Sequence, residues 1–391
     1  FHSRSFLRPG QADACPLGGI FLSTAFNRCV RFFRAETVLS AAVCLAAASA
    51  FLVPPDAGYL DYVDWDTLAQ LFSLMAVMKG FQQAGLFNFF GSRLLGRVRT
   101  SRGMLLVLVF LPFFFSMVVT NDVSLITFVP FASIVLTMAQ QRRLLVPLVV
   151  LQTLAANLGS MLTPMGNPQN LYLYARSGMG FGALCGLMLP YVALSGVCLA
   201  IAGALLPSQP IGTVRVDAAI RRPRLLAVYG AGFALCLLAL FGLLPPLAVA
   251  AVTAVYLAAT DRKLLAGVDY SLLGTFIAFF VFIGNVGRVE PFREFLVSVL
   301  EGRVEMVAVL ASQVISNVPA ALLLSGFTQD WPALIVGCNL GGLGTLIASM
   351  ASLISYKQVS REAPEQRGRY FALFTAANAA LLVLLLVFGL A

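Results

Sequence analysis

The sequence predicts an all-α polytopic membrane protein: an inverted repeat of about nine crossings, with two opposed re-entrant hairpins and two broken helices. Three observations carry this. Hydrophobic residues are 59% and charged residues 11% of the 391, with a mean hydropathy of +0.89; a soluble domain of that length would expose most of this apolar surface. The basic residues fall in short runs between apolar segments, the pattern of cytoplasmic loops. Polar and helix-breaking clusters recur inside apolar runs at matching places in the two halves, as in transporters built from inverted repeats.

Residues 1–35 carry Arg4, Arg8, Arg28, Arg31 and Arg34 and read as a cytoplasmic extension. The first repeat occupies 36–206. Val38 to Val53 crosses outward to Pro54-Pro55 and a loop with Asp56, Asp61, Asp64 and Asp66 but no base, which places the loop outside. A second helix runs from about Thr67 to Val77, with Lys79 near its end, and a semi-polar stretch from Gln82 to Thr100 lies along the cytoplasmic interface. The run 104–139 is 36 residues long and basic on both flanks, with Arg102 before it and Arg142-Arg143 after it. One crossing needs about 20 residues, so both ends inside means a re-entrant hairpin turning at Thr120-Asn121-Asp122. The alternative, two full crossings, puts that triplet at the far surface. Leu144 to Tyr174 is broken by Gly159, Pro164, Gly166 and Pro168, which leave backbone groups that lipid cannot satisfy. Phe181 to Leu206 returns.

Residues 207–224, with Arg215, Arg221, Arg222 and Arg224, form a cytoplasmic linker. Residues 225–391 hold a linking helix (Leu225 to Leu244) and the second repeat. Leu247 to Ala259 and Ser271 to Ile283 cross, and Glu290 to Glu305 is amphipathic at the outer interface. A second hairpin, 307–327, faces the other way with Gln313 and Ser316-Asn317 at its centre. Trp331 to Tyr356 is broken at Asn339 to Thr345, and Tyr370 to Leu390 crosses last. The N-terminus is then cytoplasmic and the C-terminus outside. Of 26 Lys and Arg, 21 fall in the segments assigned to the cytoplasm, a bias that a wrong crossing count would scramble.

Three matches relate the halves in the same order: Val63-Asp64-Trp65 with Val268-Asp269-Tyr270, Thr120-Asn121 with Ser316-Asn317, and Asn157-Leu158-Gly159 plus Thr163 with Asn339-Leu340-Gly341 plus Thr345. Paired broken elements place a binding site near the midplane. Half-helix N-termini attract anions, and unwound carbonyls suit sodium. Asn121, Asn167, Asn317 and Thr345 are therefore expected to supply side-chain oxygens to two such sites. Asn121, Asp122, Gly166, Asn167, Asn317 and Gly344 are the expected ion-coupling set. Asp122 is the only acid in its apolar run; a carboxylate at that depth costs on the order of 3 kcal/mol and marks a pathway, an ion or a proton. Val318 stands at the equivalent place, so the half-sites differ.

Several classes are excluded. The basic residues flank helices, which removes nucleic acid as a partner. The single histidine, His2, excludes a histidine-ligated metal or a His-based triad. Cys44, Cys185, Cys198, Cys236 and Cys338 lie in apolar segments, with Cys15 and Cys29 in the extension, so the thiols read as small apolar fillers. There is no zinc-protease motif, no pair of acids at membrane depth and no phosphate loop, which argues against an intramembrane enzyme; opposed hairpins would occlude a channel.

At Thr120 to Val123, Gly166 to Asn170 and Ser316 to Pro319 the chain resembles the ion transporter superfamily of citrate-transporter-like permeases. That superfamily includes divalent-anion/sodium symporters, arsenical pump membrane subunits and sodium/proton antiporters. The likeness spans about Glu36 to Leu390 and is greatest to bacterial inner-membrane permeases. It implies a homodimer in the bacterial cytoplasmic membrane, a scaffold and a moving part, ions near the two tips and substrate between them. The dicarboxylate symporters carry Ser-Asn-Thr at each tip, with those side chains holding substrate; Thr120-Asn121 and Ser316-Asn317 fit the first two places, so the resemblance implies Thr120, Asn121, Asn167, Ser316, Asn317 and Thr345 as the substrate-binding residues. Asp122 and Val318 replace both threonines, which looks more like the arsenical pump and antiporter branch. The expected function is an ion-coupled secondary transporter of a small anion, oxyanion or weak acid, with sodium or protons as coupling ions and no other cofactor. The rival is a sodium/proton antiporter exchanging at Asp122.

Overall fold

The computed structural model describes residues 36–212, 220 and 223–390. The N-terminal extension with His2, Cys15 and Cys29, and Arg215, Arg221 and Arg222 of the linker, lie outside the described residues. Among these the chain is helical with no strand, only an isolated bridge between Thr100 and Pro210. The helices are α1 (Thr37–Ala50), α2 (Trp65–Ala84), α3 (Leu86–Leu95), α4 (Ser101–Phe115), α5 (Asn121–Met138), α6 (Leu145–Ser160), α7 (Pro168–Ser177), α8 (Phe181–Ala204) and α9 (Pro223–Leu240). The order continues with α10 (Pro246–Thr260), α11 (Arg262–Ala266), α12 (Tyr270–Gly287), α13 (Glu290–Leu300), α14 (Val304–Ile315), α15 (Asn317–Ser325), α16 (Trp331–Leu340), α17 (Met350–Glu362) and α18 (Arg367–Leu390). Six of the described helical segments are long and apolar enough to cross a membrane, and the protein is a multi-pass membrane protein.

Short sequence signals explain the ends. Asp64 caps α2 by accepting from Thr67 N at 3.0 Å, and Asp269 caps α12 by accepting from Leu272 N at 3.0 Å, which is the physical content of the Val-Asp-aromatic match. Helix α2 runs past Lys79 to Ala84, further than expected, because it is ended by Gly85 at φ +80° and not by the charge. Helices α3 and α13 fall in the two stretches expected at the interfaces.

Two layers follow from the packing. Helix α1 lies along α12, and α9 and α10 lie along α2; this group frames a central set made of α4 to α8 and α14 to α18. In the centre, α4 packs on α6 and α14 on α16, while α5 packs on α17 and α15 on α7. Helix α6 is 83% buried, against 17% for α9 and α18, so polar side chains on α6 face protein and not lipid. Gln152 shows the use. Pro112 inside α4 removes the hydrogen bond due to Leu108 O, and Gln152 Nε2 takes that oxygen at 2.9 Å.

Helices α4 and α5 turn at Thr120, α14 and α15 turn at Ser316, and α6 and α16 end at the glycine-rich segments. Helices α14 and α15, of 12 and nine residues, reach only about 18 and 14 Å at 1.5 Å per residue, too short to cross a hydrocarbon core of about 30 Å. The first hairpin differs. Its return arm α5 has 18 residues, twice the length of its counterpart, and is long enough to cross.

Candidate functional site

The site is built where helices start. Thr120 precedes α5 in extended backbone (φ −60°, ψ 148°). Asn121 Oδ1 accepts from Asp122 N at 2.9 Å, and Asn121 Nδ2 donates to Asn157 Oδ1 at 3.1 Å. At the second tip Ser316 has φ +74° and ψ 153°, and Asn317 N donates to Ala348 O at 3.0 Å. All four tip residues are buried.

The breaks meet the tips in the same way twice. Thr163 Oγ1 donates to Met117 O, and Thr345 Oγ1 donates to Gln313 O; each acceptor lies three residues before its tip hydroxyl. Gly166 sits so near the end of α6 that a Cβ there would lie 2.1 Å from Ser160 O, and Gly344 has φ +106°, so each break depends on its glycine. The expected site residue that departs is Thr345: it is exposed, and its N–H is held by Gln313 Oε1 at 2.9 Å.

The two breaks then cross. Asn167 Nδ2 donates to Asn339 Oδ1 at 3.3 Å, and Asn339 Nδ2 donates to Asn170 Oδ1 at 2.6 Å. Ser349 Oγ donates to Asn157 Oδ1 at 3.2 Å, and Asn157 Nδ2 donates to Ser352 Oγ at 3.4 Å. Asn121 therefore connects through Asn157 to Ser349, whose neighbour Ala348 holds Asn317: the geometry brings the two tips to one place. Sequence reasoning missed Asn157, Asn170, Gln313, Asn339, Ser349 and Ser352 as site residues. Asn157 and Asn339 headed one of the repeat matches, which was the signal available.

Four helix N-termini converge here, those of α5, α7, α15 and α17, because Asn121 and Asn317 open α5 and α15, Asn167 caps α7 and Ser349 immediately precedes α17. Each brings unsatisfied N–H groups and the positive end of a helix dipole. The carbonyls at the C-terminal ends of α4, α6, α14 and α16 are taken by the side chains of Thr163, Asn170, Thr345 and Gln313. Asp122 lies in the first turn of α5, and its Oδ1 is buried with no hydrogen-bond partner; the one ion pair among the described residues is Arg288–Asp56, elsewhere. Val318, its counterpart, is buried and apolar. No group of three His, Cys, Asp or Glu side chains able to hold a metal occurs among the described residues.

Broken helices whose cut ends meet two hairpin tips inside an apolar bundle define a membrane transport protein. Comparison with known proteins makes this specific. The citrate transporter family matches residues 30–330, and the chain belongs to that family. It is 32% identical over 296 residues to an uncharacterised transporter, MJ0456, of Methanocaldococcus jannaschii, covering 75% of this chain and 81% of that one. It is 30% identical over 307 residues to the inner membrane protein YbiR of Escherichia coli, covering 76% and 81%. A shorter stretch of 120 residues is 32% identical to the silicon efflux transporter LSI3 of Oryza sativa subsp. japonica, covering 30% of this chain and 24% of the relative. The protein is a transporter and not an enzyme.

Proposed function

We propose that the protein is an ion-coupled secondary transporter of a small anion, oxyanion or weak acid, working by alternating access in a bacterial cytoplasmic membrane. The observation that carries this is the convergence of four half-helix N-termini on one buried, polar centre, an arrangement that favours negative charge without a basic side chain. Thr120, Asn121, Asn167, Ser316 and Asn317 line it, with Thr345 at its exposed edge. The coupling ion sits against Asn121, Asp122 and the break carbonyls near Gly166 and Gly344. A buried carboxylate oxygen without a partner is costly in a membrane, and a proton or a sodium ion removes the cost. That same oxygen favours a second reading, sodium/proton exchange at Asp122 without an anion.

The wider architecture belongs to this proposal. The two halves form an inverted repeat of about nine crossings, with the N-terminus cytoplasmic and the C-terminus outside. The frame of α1, α2, α9, α10 and α12 is the scaffold and the dimer-forming part, and the central set moves. The name of one relative refers to efflux, so export belongs in the test. Proteoliposomes holding the full chain are screened with labelled anions and weak acids, in both directions, while sodium and pH gradients are imposed independently. Gradient-driven flux of one of them supports the proposal; sodium-for-proton exchange with no anion present supports the antiporter; flux that ignores both gradients overturns both.

A further inference from the structure

The two crossing contacts share one rule. Asn157 accepts from residue 349 and donates to residue 352; Asn339 accepts from residue 167 and donates to residue 170. Asn157 and Asn339, Asn167 and Ser349, and Asn170 and Ser352 are each 182 residues apart. Each central asparagine therefore uses its carbonyl and its amide in the same way on equivalent residues of the opposite repeat. The identity of the partner changes, amide in one copy and hydroxyl in the other, but the donor and acceptor order does not.

Burial alone does not require this. Asn378, as deeply buried, turns its amide back onto Phe374 O of its own helix at 2.9 Å. Asn339 makes the same turn-back bond, to Ile335 O at 2.8 Å, but both it and Asn157 also reach across to the other repeat, with 2% to 4% of their surface exposed, where an unmade hydrogen bond is expensive. Asn157 stands three residues before the end of α6 and Asn339 one residue before the end of α16, and their partners lie at the start of the helix beyond the other break. A hydrogen-bonded pair at that position fixes the cut end of one broken helix against the restart of the other.

We propose that Asn157 and Asn339 are a reciprocal pair of positioning residues, each tying the broken helix of its own repeat to that of the other so that the two tips move as one body. The consequence for transport rests on the reading given above: ion and substrate groups at the two tips are gained and lost together, because neither half-site shifts alone.

Hydrogen exchange of the full chain in lipid nanodiscs tests this, with thermal unfolding to verify that each variant is folded. Asn157→Ala raises exchange at 346–352, in the opposite repeat, by on the order of tenfold, and Asn339→Ala does so at 163–170. Loosening confined to the mutated repeat, or equal loosening of both breaks by both variants, overturns the pairing. Should either alanine variant fail to fold, Ser352→Ala removes a single acceptor and is expected to loosen 157–163, whereas Ser352→Thr keeps the hydroxyl and keeps wild-type exchange; loosening by Ser352→Ala only within 350–362 overturns the proposal. Sodium chloride against choline chloride is the second probe. In the wild type, protection of 117–123 and 313–319 rises over one concentration range, and in Asn157→Ala the two ranges part by on the order of tenfold; coincident ranges in the variant overturn concerted movement. A wild type that sodium does not protect removes sodium from the functional reading, and the crosswise exchange pattern then decides the pairing by itself.

Discussion

The two breaks solve one problem with different side chains. Each unwound segment leaves carbonyls that the membrane interior cannot satisfy. In the first break Asn170 Nδ2 takes them locally, lying 3.4, 3.2 and 3.4 Å from Ser160 O, Met161 O and Thr163 O. In the second, the equivalent residue is Ser352, which is too short. There the hairpin supplies the donor: Gln313 Nε2 reaches Gly341 O at 3.0 Å and Leu343 O at 2.9 Å. The residue matching Gln313 in the first hairpin is Met117, which has no donor to give. Met117 with Asn170 and Gln313 with Ser352 are thus two versions of one satisfied break, and the tips differ in step: Asp122 with relaxed Thr120 at one, Val318 with strained Ser316 at the other.

The largest expected effect falls on the side that holds the carboxylate. Asp122→Asn keeps the shape and removes the ionisable group, so gradient-driven flux in proteoliposomes falls on the order of 100-fold, at the upper end of ordinary coupling free energies, while any downhill flux persists. Val318→Asp in the same background does not restore coupling, because the second tip holds Asn317 by its backbone and has no asparagine pair like Asn121 with Asn157. Unchanged sodium and pH dependence in Asp122→Asn would take this residue out of the mechanism and leave the difference between the tips a matter of packing.

The trade between Gln313 and Asn170 is tested next. Gln313→Met copies the first hairpin into the second and strands Gly341 O, Leu343 O and Thr345 N, at about 1–3 kcal/mol for a buried group left unmade. Thr345 is exposed and water offsets part of this, so a net loss of roughly 2 kcal/mol is expected in denaturant or thermal unfolding. Adding Ser352→Asn completes the copy and should recover a good part of the loss. Equal stability of the single and double variants would show that the two breaks are not versions of one design.

Much of this was legible because a polar group in an apolar run needs a reason. Thr120-Asn121-Asp122, Ser316-Asn317 and both proline- and glycine-rich breaks stood out on that ground, and each lies at a turn or a break in the fold. The acidic N-caps Asp64 and Asp269 were visible as a repeat before their capping role was. What stayed hidden was pairing. Asn157 meets Ser349 and Asn339 meets Asn167 across more than 170 residues of chain, and no local property of an asparagine names its partner. Gln313 was visible as polar, but its use depends on a shortfall at Ser352 that appears only once the helices are packed. Thr345 was expected as a side-chain oxygen of the second break, yet it is exposed and follows Gly344 at φ +106°.

The smallest expected effect concerns backbone. Ser316 at φ +74° and ψ 153° occupies a region essentially reserved for glycine, at a strain of about 1–3 kcal/mol, whereas Thr120 at the other tip carries none. The serine hydroxyl recovers little, since its contact with Ala348 O is 3.4 Å long. Ser316→Gly should therefore raise stability by roughly 1 kcal/mol after the entropy of a freer unfolded chain is subtracted, while Ser316→Ala keeps the strain, loses the contact and falls slightly. A stabilised Ser316→Gly variant with slower flux would mean that the strain is held in reserve for the movement of this tip; equal stability of the glycine and alanine variants would mean that the tip relaxes at no cost, and that the two tips differ only in their carboxylate.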